Sequence, residues 1–118
     1  MKIMIIDDDA DILNLFKDFL SKRGYDVVTF LDPLVAVKEI KNNPNHYALI
    51  ITDIRMPGIS GIELIKRVCR INSDIKVMIM SAFDINGDDL KEIRVEEQVQ
   101  KPIHMRTLAQ SIEKILKS

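Results

Sequence analysis

With 118 residues, the chain has room for one ordinary domain and too few for two. An apolar share of 47% and a charged share of 30% mark it as globular rather than disordered. A formal net charge of -1 supplies no basic field to hold nucleic acid, and a single cysteine, Cys69, excludes an internal disulfide.

A lone cysteine fits a reducing, cytoplasmic setting. No apolar stretch approaches the roughly 20 residues that span a bilayer. Lys2 and four apolar residues followed by three acids do not make a signal peptide, so no membrane partner is expected.

In chain order, Ile3 to Ile6 is a short apolar run, read as a strand, that meets Asp7-Asp8-Asp9. Ile12, Leu13, Phe16, Phe19 and Leu20 then recur at helical spacing until Gly24 stops the helix. Tyr25 to Phe30 is a second strand. Asp32-Pro33 is an N-cap and first-turn proline opening a helix through Ile40. Ala48 to Ile51 is the third strand; it ends toward Asp53 and the Pro57-Gly58 turn. Ser60 with Glu63 resembles a capping box for a helix through Cys69. Val77 to Met80 is the fourth strand, closed by Ser81. A helix is expected next, weakened by about 1 kcal/mol by Gly87 relative to Ala. Val95 to Val99 is a weak fifth strand before Lys101-Pro102. Met105, Leu108, Ala109, Ile112 and Leu116 stripe the last helix, and Leu116-Lys117-Ser118 reads as its natural end.

Alternating strands and helices predict an α/β domain over residues 1–118 with a doubly wound, five-stranded parallel sheet. Runs one, three and four are continuously apolar, as strands covered on both faces must be. Run two carries Asp26 and Thr29, and run five carries Glu96, Glu97 and Gln98, which suits edges. The predicted order is therefore 2-1-3-4-5. Open α/β sheets bind ligands at the carboxyl ends of strands where the order reverses, here between strands one and three. That brings Asp8 and Asp53 together.

Several carboxylates in one crevice need a positive partner. Oxygen donors without His or Cys favour a hard cation such as Mg2+. Ser81 and Lys101 also fall at the carboxyl edge. A carboxylate among a metal, a lysine and a hydroxyl suits phosphoryl transfer. Taken singly, each residue has a plainer reading: Asp7, Asp8 and Asp9 as helix caps, Asp9 above all; Ser81 as a turn residue; Lys101 as a solvated charge. Cys69 reads as a small buried hydrophobe, His46 and His104 as surface residues, and the six methionines as core.

Ile5-Ile6-Asp7-Asp8-Asp9, Thr52-Asp53-Ile54-Arg55-Met56-Pro57-Gly58-Ile59-Ser60-Gly61, Ser81-Ala82 and Lys101-Pro102 together resemble the receiver domain of two-component response regulators. The resemblance covers essentially the whole chain and implies a flavodoxin-like (βα)5 fold of the stand-alone type. It implies that Asp53 is the nucleophile, accepting a phosphoryl group from the phosphohistidine of a sensor histidine kinase or phosphotransfer protein. Asp7, Asp8, Asp53 and the Arg55 backbone carbonyl would hold Mg2+, Asp8 more directly than Asp7. Ser81 and Lys101 would bind the phosphoryl group, Ser81 as the switch, and Pro102 would follow a cis peptide. Arg55 and Phe83 stand where the family varies its rate of aspartyl-phosphate hydrolysis. The downstream target would be a protein.

The sequence departs from the family pattern in one region. Gln98 occupies a switch position that is usually aromatic, and the usual Gly-Ala ahead of the fifth strand is missing. From Asp84 to Glu97 there are six acids against two bases, which argues against an apolar dimer on that face and for readout by charge complementarity. Two other functions compete with a phosphoacceptor, which is not itself an enzyme. One is a non-phosphorylated interaction module on the same scaffold. The other is a Mg2+-dependent phosphohydrolase, for which the sequence offers no segment to build a substrate pocket.

Overall fold

Strand β1 (Lys2–Ile6) forms from the first apolar run and is buried on both faces. Ile3 and Ile5 enter one core while Met4 and Ile6 enter another, as the two-residue side-chain period of a strand requires. The computed structural model describes residues 1–82 and 93–117. The described elements after β1 are α1 (Ala10–Lys22), β2 (Val27–Phe30), α2 (Pro33–Asn42), β3 (Tyr47–Asp53), α3 (Gly61–Ile71), β4 (Lys76–Ser81), β5 (Glu97–Gln100) and α4 (Met105–Lys117). The helix expected around Gly87 lies outside the described residues, as does Phe83.

The five strands are parallel in the order β2-β1-β3-β4-β5, as the run compositions predict. β1, β3 and β4 are interior and nearly all buried; β2 and β5 are the edges. Helices α1 and α4 cover one face, over Ile5, Ile51 and Met80. Helices α2 and α3 cover the other, over Ile6, Ile50 and Ile79. Each fully buried aliphatic side chain contributes about 1.5–3 kcal/mol of transfer free energy, so the two-sided core is what fixes the sheet.

The edge strands hold a finding that composition missed. Asp26 and Glu96 flank the ladders rather than entering them. The Asp26 carbonyl accepts from the Ile3 N–H at 2.8 Å. The Glu96 N–H donates to the Val77 carbonyl at 2.9 Å, and Glu96 Oε2 accepts from the Val77 N–H at 2.7 Å. A side chain thus satisfies a backbone donor at the start of β4, and β5 proper begins one residue later, at Glu97. Within β5 only alternate residues are half-buried, and Val99 is the one that packs on the core. An edge strand with one covered face carries too weak an apolar signal to fix its own ends.

Caps set the helix limits. Asp9 Oδ1 accepts from the N–H groups of Asp11 and Ile12, and Asp32 Oδ1 from that of Leu34. Gly24, at φ 94°, ends α1: its N–H donates to the Ser21 carbonyl while the Tyr25 N–H reaches Leu20. The capping box on α3 is half made. Ser60 Oγ accepts from the Glu63 N–H at 3.1 Å, but the Glu63 carboxylate turns to Arg67 Nε at 3.3 Å. No helix among the described residues is long and apolar enough to cross a membrane.

Candidate functional site

Three strand ends and the turn after β5 converge where the sheet order reverses. Asp7 follows β1 and is 0% exposed. Its Oδ1 accepts from the Asp9 N–H at 3.0 Å, and its own N–H donates to the Phe30 carbonyl at 3.2 Å. Asp53 ends β3 and is half-buried. Ser81 ends β4, with the residue 4% exposed, and its carbonyl accepts from the Lys101 N–H at 2.7 Å. That bond draws Lys101 back along the sheet edge. Lys101 Nζ then lies 2.9 Å from Asp7 Oδ2 and 3.1 Å from Asp53 Oδ2. The Lys101–Pro102 peptide is cis.

Carboxylate oxygens of Asp7, Asp8 and Asp53 lie within 4.8 Å of one another. Asp8 is exposed as a residue, yet its carboxyl is pushed up from the ordinary value of 3.8, by desolvation first, then by its hydrogen bond to Asp7 and the charges of Asp7 and Asp53. For Lys101, burial alone would lower the ammonium; the hydrogen bonds and charges of Asp7 and Asp53 outweigh it and raise it. Lys101 offsets part of the negative charge and leaves a cluster of oxygen donors. The donor set, with neither His nor Cys in it, fits Mg2+. His46 and His104 are exposed and belong to no such cluster among the described residues.

Asp53, Arg55, Ser81, Ala82 and Lys101 line an adjoining cavity of about 200 Å³, several times the roughly 30 Å³ of a liquid water. A larger groove of about 440 Å³, lined by Leu15, Phe16, Ile103 and Met105 among others, opens on the other side of Lys101 but is mostly apolar. Chemistry rather than size marks the smaller cavity as the site.

Of the residues singled out from sequence, Asp7, Asp8, Asp53, Ser81 and Lys101 come together. Asp9 does not, and serves as the α1 cap. Gln98 is exposed on β5, on the face opposite Val99. Cys69 is half-buried against Ile65, Val77 and Ile79, less deeply than a core position, and burial pushes its thiol up. Sequence reasoning passed over Thr52, which is 0% exposed with Oγ1 donating to the Asp53 carbonyl at 2.9 Å. A hydroxyl inside an otherwise apolar run was the available signal.

Comparison with known proteins agrees with this geometry. The model of the response regulator receiver domain matches residues 3–113. The response regulator receiver protein CpdR of Brucella abortus is 32% identical over 120 residues, which cover 98% of this chain and 96% of CpdR. Sporulation initiation phosphotransferase F of Bacillus subtilis is 30% identical, covering 98% of this chain and 93% of the relative. Two longer transcriptional and regulatory proteins match over 50% and 53% of their length. Among solved structures, response regulator TrrA of Thermotoga maritima, in complex with Mg2+-BeF, superposes with a TM-score of 0.83 at 32% identity, covering 98% of this chain and 99% of TrrA.

Proposed function

This chain belongs to the response regulator receiver family of two-component signalling, and on that premise we propose that Asp53 is its phosphoacceptor. Residues 1–118 act as one receiver unit. The observation that carries the reading is the bridge from Lys101 Nζ to both Asp7 and Asp53 within a cluster of three carboxylates.

An Asp53 carboxylate oxygen attacks the phosphorus of a phosphohistidine on a sensor histidine kinase or phosphotransfer protein. The O–P bond forms, the P–N bond breaks, and the electron pair leaves on the imidazole. Asp7, Asp8 and Asp53, with the Arg55 backbone carbonyl, would hold Mg2+, which when bound supplies positive charge opposite the phosphoryl oxygens. Lys101 sits in hydrogen-bond reach of the nucleophile and neutralises charge as the phosphoryl group arrives. Ser81 binds a phosphoryl oxygen and switches the surface around it, with Gln98 in place of the usual aromatic residue. The phosphorylated form docks on a downstream protein, in the cytoplasm.

Intact mass after incubation with Mg2+ and acetyl phosphate tests this. One added phosphoryl group is expected, acid-stable and base-labile, and absent in Asp53→Asn or with a chelator. No mass change with any donor would overturn the reading in favour of a non-phosphorylated interaction module.

A further inference from the structure

The Asp53 carboxylate is held from two sides. Lys101 Nζ meets Oδ2, and the N–H of Ile54 donates to Oδ1 at 2.7 Å. The second bond comes from the peptide unit joining Asp53 to Ile54. A peptide is planar, and in its trans form the N–H and C=O point opposite ways. Whatever fixes its oxygen therefore aims its N–H.

Two residues fix that oxygen. Thr52 Oγ1 donates to the Asp53 carbonyl at 2.9 Å, and Thr52 is 0% exposed, so water cannot replace it. On the same oxygen rests Gly61, the first residue of α3. A Cβ at Gly61 would overlap the Asp53 carbonyl oxygen and lie 3.0 Å from both Asp53 C and Ile54 Cα. All three are backbone atoms, so no flexible side chain can give way. The Gly61 N–H also donates to the Ile54 carbonyl at 2.8 Å, which locks the next peptide to the same turn.

We infer that Thr52 and Gly61 are positioning residues for the phosphoacceptor: they set the plane of the Asp53–Ile54 peptide, whose N–H orients the Asp53 carboxylate. The inference rests on the reading of Asp53 as phosphoacceptor. Thr52→Val keeps the shape and deletes the donor, whereas Gly61→Ala forces either the first turn of α3 or the peptide plane to move. A merely structural role would cost stability alone. Gly24→Ala is the control: at a φ of 94° an alanine there is strained and costs stability, but nothing lies within 4 Å of its added Cβ, so it presses on no part of the site.

The experiment compares wild type, Thr52→Val, Thr52→Ser, Gly61→Ala and Gly24→Ala by three readouts. These are the rate of phosphoryl uptake from acetyl phosphate with Mg2+, the thermal midpoint, and the Ile54 amide proton shift without a donor. Thr52→Val and Gly61→Ala should slow uptake by about tenfold or more, as misplacement of reacting groups does, and move the Ile54 amide upfield. Thr52→Ser should restore both, and Gly24→Ala should lose stability while keeping the wild-type rate. Uptake that follows the thermal midpoint across all variants, Gly24→Ala included, would overturn the inference. If Gly61→Ala does not fold, the Thr52 pair decides. If wild type takes up no phosphoryl group, the proposed function fails, and an unmoved Ile54 amide in Thr52→Val would separately sink the positioning role.

Discussion

Lys101 pairs with Asp7 and Asp53, at 2.9 and 3.1 Å, and no such pair joins it to Asp8 among the described ion pairs. Asp8 faces the charges of Asp7 and Asp53 without that ammonium, and its carboxyl is raised, by desolvation first and by those two neighbours next. In divalent-free buffer at neutral pH, Asp8→Asn should raise the thermal midpoint by a few degrees. An unchanged or lower midpoint would show that the Asp8 charge is already compensated. Cys69 gives a pH prediction. Its thiol is raised by burial first and by Glu96 next, against a lowering by Arg94. The thiolate is the reactive form, so alkylation by iodoacetamide at pH 8 should run slower than that of free cysteine. The sign for stability follows: the thiol's contribution is fully present below its unfolded pKa and is lost as pH rises through the raised folded one. A rate matching free cysteine would contradict the burial.

Helix ends were the most legible elements, because a cap is a local hydrogen bond between near neighbours in sequence. Asp9, Asp32 and Ser60 each cap the helix expected of them, and Gly24 closes α1. Asp32→Ala should lower stability by about 1 kcal/mol, read as a reduced urea midpoint with unchanged slope. Phosphoryl uptake should stay at the wild-type rate, since Asp32 touches no part of the carboxylate cluster. A larger loss would mean that α2 is tied to the site more tightly than its cap implies. The capping box shows where locality ends. Whether Glu63 reaches back to Ser60 or forward to Arg67 depends on side-chain competition, and a spacing rule cannot rank the two. β5 fails for a related reason: an edge strand covered on one face leaves only Val99 to signal it.

The sheet order links residues far apart in sequence. Lys101 bonds to residues 94 and 48 positions earlier. A cation held by Asp7, Asp8 and Asp53 would tie the end of β1 to the end of β3, and so stabilise the folded chain as a whole. At a hundredfold excess over its dissociation constant, a ligand of the native state contributes about 2.7 kcal/mol. Mg2+ should therefore raise the wild-type thermal midpoint in a concentration-dependent way and raise that of Asp8→Asn much less. Equal shifts in the two proteins would remove Asp8 from the cation site.

Apolar periodicity and the placement of acids were enough to establish the fold class, the edge strands, the strand order and the group of residues at the carboxyl edge. Each of these depends on local pattern: which runs are apolar throughout, and which residue stands where a run stops. Tertiary structure alone decided that Lys101 bridges Asp7 and Asp53 rather than Asp8, that Glu96 bonds the start of β4, and that Gly61 presses on the peptide behind Asp53. Those outcomes turn on distances of a few ångströms between segments tens of residues apart. Such distances are set by how two helical layers pack against the sheet, and no run of the sequence records that packing.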